Sequence, residues 1–568
     1  MKRGNLVIVV FTVCLLVLCG VSAAQQIEYL SPKPMSQVVK VQVKPVTSRT
    51  IKMPLITWGG DVATILADMD GIFQQEGLMI ELFREDNFAK QVEMCLSGKM
   101  PYLRGTMGMI NAAADAFKFH NVELVVIYQM TWSVGGDAMT VRPKKNLRNI
   151  QTVAVQLYGP HMDYAANLFR SAGRLTRVDF KWLQELTLPT YDTDKIVDPV
   201  SAFQSDRSLD AVMCIIPDAL MLTSGGTEGT GAEGSVKGAT ILLSTKTASR
   251  IIADVYAVRK DYFDAHRSEV QKFVHALMRG EEALRDLLKS KSSQQAKYRQ
   301  LLAKSADLLL GAPQATADVE ALLGDCEYVG YSGNIAFFTG KGTTRNLKTL
   351  TDEIQRSFLE MGLMTREIPI ASASWDYAAL ASGLKYAEAV PAAPKEKFDP
   401  KKVAARVEKK ISVEPTTWEE EGTLFVVEIN FEPNQSDFSA TKYTNDFQKA
   451  LEIAQTYSGA LIIIEGHSDP LGILKAEQRR EQSQIIGQMK QNAKNLSMER
   501  AQAVRESFLN FCKQRKLNID ESQFVAIGLG IDSPKFNPPR TKEEWAGNRR
   551  VVFRIKQVEA ELDEFSPL

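Results

Sequence analysis

Ile462-Ile463-Ile464-Glu465-Gly466-His467-Ser468-Asp469-Pro470-Leu471-Gly472 is the stretch on which the fold of the C-terminal part turns. The apolar run from Leu461 to Glu465 reads as a buried strand. Such a strand delivers Gly466, His467, Ser468 and Asp469 to its C-terminal end, where a carboxylate is exposed yet rigidly held. Three other stretches fall around it in order. Ile429-Asn430-Phe431-Glu432-Pro433-Asn434 sits at an opening strand, Leu496-Ser497-Met498-Glu499-Arg500-Ala501 at a helix start with Ser497 as its N-cap, and Asn548-Arg549-Arg550-Val551 at a last strand.

These four ordered motifs resemble the OmpA-like peptidoglycan-binding domain, a module shared by outer-membrane anchors and flagellar stator proteins. The resemblance spans about 423–555, and the unit is placed at 416–558. It implies a small α/β sandwich and assigns ligand contacts to Asp469 and Arg500. The chemistry agrees: peptidoglycan peptides carry a diamino acid in many bacteria, so a receptor needs an anion and a cation close together. Arginine suits the carboxylate half because its planar fork gives two parallel hydrogen bonds. The bland alternatives are a turn residue before Pro470 and a solvated residue in a first helical turn. Asn434, Ser468, Asn548 and Arg550 match weaker motif positions, where sheet-edge or turn hydrogen bonding serves equally well. His467 has no second ligand beside it and reads as a packed or surface histidine rather than a metal ligand. The charged stretch 473–495, with Arg479, Arg480 and Glu481, exceeds the family spacing and is expected to form a helix projecting beside the pocket.

Working outward, residues 387–415 are rich in Ala, Pro, Lys and Glu and show no apolar period, which reads as an extended interdomain linker. An acidic tail follows at 559–568. Upstream of the linker, after a lead-in at 25–49, residues 50–386 alternate short β-type runs with amphipathic helical stretches. This is the pattern of α/β folds with mainly parallel sheets, and its length suits two lobes joined by crossing strands near 138–142 and 253–259.

Three stretches of that region resemble the extracytoplasmic solute receptors of ABC transporters, in the nitrate, sulfonate and thiamine-precursor branch. They are Gly71-Ile72-Phe73-Gln74-Gln75-Glu76-Gly77-Leu78 before Met79-Ile80-Glu81-Leu82, Leu209-Asp210-Ala211-Val212 followed by Pro217-Asp218-Ala219, and Asp254-Val255-Tyr256-Ala257-Val258-Arg259. The resemblance implies two α/β lobes around a cleft that closes on a small-molecule solute, and an inner-membrane permease as partner.

The ligand wall of such a fold is built from loops at strand ends. Trp58-Gly59-Gly60-Asp61 and Gly105-Thr106-Met107-Gly108 are turns of that kind. Gly60 and Thr106 would offer backbone N–H groups there. Asp61 is also where a helix N-cap belongs; facing the cleft with Asp218, it would favour a positively charged ligand. Trp58 and Trp132 could stack on a planar ligand or pack in the core.

The ends and the composition set the remaining bounds. Lys2 and Arg3 precede an apolar run from Leu6 to Val21 that ends in Ser22-Ala23-Ala24, an export signal over 1–24, with a retained anchor or lipidation at Cys19 as alternatives. The chain has 568 residues, and its 68 basic and 68 acidic side chains cancel, so no overall basic excess provides an electrostatic footprint for nucleic acid, leaving only a local patch as a possible one. Its six cysteines show no metal-ligand spacing. Gly229-Thr230-Gly231-Ala232-Glu233-Gly234 satisfies GxGxxG but lacks the preceding strand a dinucleotide site needs, and no serine elbow is present. The expectation is a non-enzymatic protein without cofactor or metal, periplasmic and held to the cell wall. The alternative is an assembly component whose receptor fold has become a docking surface.

Overall fold

The computed structural model describes residues 25–189, 193–387, 398–413, 423–432 and 440–556. The expected export signal, the prolines at 391 and 394, Asn434 and the acidic tail lie outside them. Among the described residues no helix is long and apolar enough to cross a membrane.

In chain order the elements that position the candidate sites begin with β1 (Ile51–Leu55), α1 (Asp61–Met69), β2 (Ile80–Arg84), β3 (Tyr102–Thr106), α2 (Met107–Phe119) and β4 (Leu124–Ser133). A second group follows: β5 (Asp137–Val141), β6 (Thr152–Gln156), α3 (Met162–Ser171), β7 (Asp179–Leu183), β8 (Ala211–Ile215) and β9 (Thr240–Ser244). The chain then returns through β10 (Ala253–Arg259) to β11 (Cys326–Tyr328) and α4 (Leu347–Glu360).

Two sheets result. One is ordered β11-β4-β10-β3, the other β9-β5-β8-β6-β7, while β1 and β2 pair in parallel on their own. The chain passes between the sheets twice, from β4 to β5 and from β9 to β10, which makes two lobes. Mainly parallel sheets were expected, and the structure differs: β11-β4, β4-β10 and β10-β3 are antiparallel, with the two-residue strand Ala371–Ser372 beside β4 in parallel, and in the second sheet only β8-β6 and β6-β7 are parallel. The crossings are the reason. β4 leaves the first lobe and β10 re-enters it through the same junction, so side by side they run in opposite directions; β5 and β9 do the same in the second lobe. The lead-in also belongs to this fold, since Gln26 and Ile27 pair with Lys195 and Ile196, and Met35 and Val39 are buried.

The C-terminal unit contains α5 (Pro400–Val413), β12 (Thr423–Asn430), α6 (Thr444–Thr456), β13 (Leu461–Gly466), α7 (Ser483–Gln514), β14 (Phe524–Gly528) and β15 (Arg550–Lys556), with sheet order β12-β15-β13-β14. β13 is buried along its whole length because both faces are covered. Ile462 and Ile464 pack with Phe447, Val504 and Phe508 from α6 and α7, while Leu461 and Ile463 pack with Phe398, Val403 and Val407. A strand covered on both sides reads as one continuous apolar run.

That second face corrects the linker. Residues 400–413 are a helix, and Val403 and Val407, one turn apart, lie on its buried side. The charged residues of a stretch rich in Ala, Lys and Glu hide the period in which Val403, Val407 and Ile411 recur every fourth residue.

The C-terminal unit also rests on the junction between the lobes. Arg250 N donates to Thr456 O at 3.2 Å, Gly459 N to Thr247 O at 3.1 Å, and the hydroxyls of Ser249 and Ser458 lie 2.7 Å apart. Thr344 N donates to Gln455 Oε1 at 2.6 Å. Residues 245–252 are the second crossing, so the unit is seated against the segment on which the lobes would hinge.

Candidate functional site

At the C-terminal end of β13 the backbone turns at Gly466, where an added Cβ would lie 1.8 Å from Ser497 O. α7 therefore passes in direct contact with the strand end. Arg500, on the next turn of α7, is 1% exposed and reaches back under that corner. Its Nη1 donates to His467 O at 3.2 Å and its Nη2 to Glu432 O at 3.4 Å, with the guanidinium 5.5 Å from the Phe431 ring. Burial, and then the nearby Arg549, push the Arg500 guanidinium down to about 10. Asp469 is partly exposed; its Oδ1 accepts from Leu471 N at 3.1 Å, and its Oδ2 lies 4.0 Å from Arg549 Nη1. Arg549 in turn donates through Nε to Phe431 O at 3.2 Å. One carboxylate and two guanidinium groups thus gather where β13, α7 and β15 meet. Arg549 lies in the Asn548–Val551 motif, where the resemblance points to its neighbour Arg550.

Ser468, Asn548 and Arg550 make internal hydrogen bonds. Ser468 Oγ donates to Ala493 O at 2.9 Å, and Asn548 both accepts from Phe536 N and donates to Phe536 O, each at 2.9 Å. Arg550 is buried, with Nη2 donating to Ser533 O at 3.3 Å. His467 is fully buried, its Nε2 3.8 Å from Glu465 Oε2, and Glu465 forms a two-pronged pair with Arg554 at 2.8 Å on both oxygens. Ser497 is not an N-cap. It lies inside the continuous helix α7, which absorbs most of the 473–495 insertion; its Oγ donates to Lys494 O at 2.7 Å and accepts from Gly530 N at 2.8 Å.

Between the lobes the polar groups are largely turned on one another. Asp61 is fully buried in the first turn of α1, where Gly60 takes the cap position. Neither a cap nor a cleft group, Asp61 takes the Nε of Arg104 at 3.0 Å, while Arg104 Nη1 donates to Asp254 at 2.8 Å. Gly60 O accepts from Tyr328 Oη at 3.1 Å, and Thr106 Oγ1 caps α2 by accepting from Met109 N at 3.3 Å. Trp58 Nε1 donates to Thr131 Oγ1 at 3.2 Å, and its ring lies against Gly136, where a Cβ would sit 2.5 Å from it. Trp132 is buried edge-on to Phe337, with Arg250 5.5 Å over its face. Asp218 Oδ2 is buried without a hydrogen-bond partner, and burial, then Asp198, raise its carboxyl to about 6.

The crossings themselves are pinned. Thr245 Oγ1 accepts from Gly135 N at 3.0 Å and Asp137 N at 3.2 Å, Ser133 Oγ donates to Asp137 Oδ2 at 2.6 Å, and Asp137 Oδ1 lies 2.7 Å from His161 Nε2. Around this knot burial raises two more carboxyls, Asp163 to about 8 and Asp325 to about 6, with Asp137 adding to both. The lobe junction is therefore acidic in composition and reluctant to hold that charge without a cation.

The sequence matches no family model and no curated protein sequence. Among solved structures the chain is similar to periplasmic solute-binding proteins. The aliphatic sulphonate binding protein SsuA from Escherichia coli overlays with a TM-score of 0.38 at 13% identity, covering 57% of this chain and 90% of that one. The alkanesulfonate-binding protein SsuA from Xanthomonas axonopodis pv. citri, bound to MOPS, gives 0.36 at 12%, covering 57% and 96%. The nitrate-binding protein NrtA from Synechocystis PCC 6803 gives 0.31 at 12%, covering 46% and 67%. Overlays with scores below 0.4 leave the strand order and the two crossings of this chain as the ground for its two-lobed description.

Proposed function

We propose that the protein is a wall-tethered solute receptor of the cell envelope, its C-terminal unit holding peptidoglycan non-covalently and its lobes taking a small molecule. The observation that carries the first half is the corner formed by Asp469, Arg500 and Arg549. A diamino acid presents an ammonium to Asp469 and a carboxylate to Arg500. Arg500 gains from that partner because burial and Arg549 otherwise disfavour its charge. Co-sedimentation of the full chain with purified sacculi tests this: the native protein pellets, and Asp469→Asn and Arg500→Lys remain in the supernatant.

For the lobes, the carboxyls of Asp218, Asp325 and Asp163 favour a cationic or neutral solute over a free oxyanion. The solute could meet a membrane permease or be sensed in place. A second reading is favoured by the Asp61–Arg104–Asp254 closure, which leaves groups suited to a ligand occupied by one another: the lobes then serve as a docking surface for an envelope assembly. A thermal scan against small cationic solutes separates the two, because a ligand that binds only the folded state raises the melting temperature by mass action.

A further inference from the structure

Five consecutive residues, from the end of α6 to the approach to β13, bond to both lobes and to the chain crossing between them. Gln455 Oε1 accepts from Thr344 N at 2.6 Å and from the Thr344 hydroxyl. Thr344 follows the helix Gly330–Thr339, which belongs to the first lobe: Asn334 accepts from Gln129 N of β4 at 2.8 Å and donates to Gln129 O at 2.9 Å. Tyr457 Oη donates to Asn167 Oδ1 at 3.3 Å, on α3 of the second lobe. Between these points Thr456 O accepts from Arg250 N, the Ser458 hydroxyl meets that of Ser249, and Gly459 N donates to Thr247 O, all on the second crossing.

The segment itself has little freedom to give. Tyr457 O accepts from Gln523 Nε2 at 3.0 Å and from Ala460 N at 2.9 Å, and the Tyr457 ring centre lies 5.0 Å from that of Phe425. Gly459 leaves no room for a Cβ against Lys246 O. A rigid segment bonded to both lobes fixes the distance between its attachment points. A hinge, however, works only where the few residues joining two bodies can change φ and ψ. The backbone of Thr247 and Arg250 is held from outside the lobes. The lobes also meet through α4, where Gln355 donates to Asn111 of α2 and Arg170 of α3 donates to Ser357, each at 2.8 Å, but that bridge leaves the crossing free. Beside the five residues a space of about 920 Å³ opens between α3, α4 and the C-terminal unit, so the seat there rests on these bonds rather than on two packed faces.

We propose that residues 455–459 are a clamp on the lobe hinge: while the C-terminal unit is seated the lobes keep one arrangement, and they open or close only when it lifts off residues 246–250. The C-terminal unit thereby regulates whatever the lobes bind or dock. Whatever draws the unit from its seat frees the hinge, and by reciprocity a change in the angle between the lobes loosens the seat. The clamp stands whether or not that unit holds peptidoglycan, because none of its residues belongs to the Asp469 corner.

Hydrogen exchange of the full chain at residues 133–137, the first crossing, tests the proposal. Among the described residues the clamp makes no hydrogen bond there, while Ser133 N donates to Ile252 O and the amides of Gly135 and Asp137 donate to Thr245 Oγ1, so these amides report the hinge. Gln455→Ala with Gly459→Val lifts the clamp and should speed exchange at 133–137 roughly tenfold or more, with exchange in β8 unchanged. Ser249→Cys with Ser458→Cys closes it permanently once oxidised, since hydroxyls 2.7 Å apart put two sulfurs within bonding reach. Exchange at 133–137 should then be slowest and should return to the native level with reductant, the native chain with and without reductant being the control. Native-like exchange at 133–137 in both double variants would overturn the clamp. Acceleration extending equally through β8 would mean that the second lobe unfolds, and the cysteine pair then decides alone: no slowing against its reduced form overturns the proposal.

Discussion

Arg104 stands between Asp61 and Asp254, 3.0 Å from one carboxylate and 2.8 Å from the other, with all three side chains buried. Burial by itself would strip the charge from each, and the two carboxylates more than restore it on Arg104, whose guanidinium is held more basic than usual. Burial still outweighs Arg104 at Asp61, which rises to about 6. Removing the cation alone, as in Arg104→Met, leaves two buried carboxyls without it and should cost ~3–5 kcal/mol. Adding Asp61→Asn and Asp254→Asn to that variant should recover part of the loss. Urea midpoints of the single and triple variants check this; a single variant as stable as the native protein would contradict it.

Asp163 makes stability depend on pH in the direction opposite to a salt-bridged acid. Its carboxyl rises from 3.8 to about 8 on folding, so the native state holds the proton more tightly. Stability from this group is full below about 4, falls as pH rises towards about 8, and is level above. Asp163→Asn removes the penalty, so the variant's gain in melting temperature should be larger at pH 8 than at pH 5. An equal offset at both values would show that Asp163 does not carry the dependence.

The helix α5 predicts a stability effect that an extended spacer would not have. Val403→Ala with Val407→Ala should destabilise the C-terminal sheet by roughly 2–4 kcal/mol, from lost apolar burial plus the cavity left behind. Hydrogen exchange at the amides of β13 reads it directly: exchange should speed up there and not in β4. Unchanged protection of β13 would mean that α5 does not cover the sheet.

Gly459 packs so closely on the second lobe crossing that an added Cβ would lie 1.8 Å from Lys246 O. Gly459→Val should therefore lift the C-terminal unit off residues 246–250. Small-angle scattering should show a larger radius of gyration, with pelleting on sacculi retained. An unchanged radius would mean that the other contacts, among them Thr344 with Gln455, hold the unit without this one.

What could be read in the sequence follows physical locality. The buried strand at 461–466 and the α/β alternation upstream were legible because long apolar runs and period changes are local signals. The antiparallel pairing of β4 with β10 was not, since it is set by the chain re-entering a lobe more than a hundred residues later. Ser497 looked like a cap because the stretch preceding it is charged and carries few large apolar residues, whereas in the fold it lies inside a continuous helix, packed against Gly466 and bonded to Gly530 N. Asp61 had the spacing of a cap, and nothing local announces that Arg104 and Asp254 converge on it.

The central claim is that Asp469 and Arg500 hold the diamino acid of peptidoglycan, and competition in the sacculus assay tests it most directly. Full-length protein bound to sacculi should be released by free diaminopimelate in a saturable manner, and Nα-acetyl-lysine, in which no carbon carries both an ammonium and a carboxylate, should release it far less. Asp469→Asn and Arg500→Lys should fail to pellet while giving native circular dichroism spectra. Pelleting that survives both substitutions and excess diaminopimelate would contradict the account, placing wall attachment, if any, outside the corner between β13, α7 and β15.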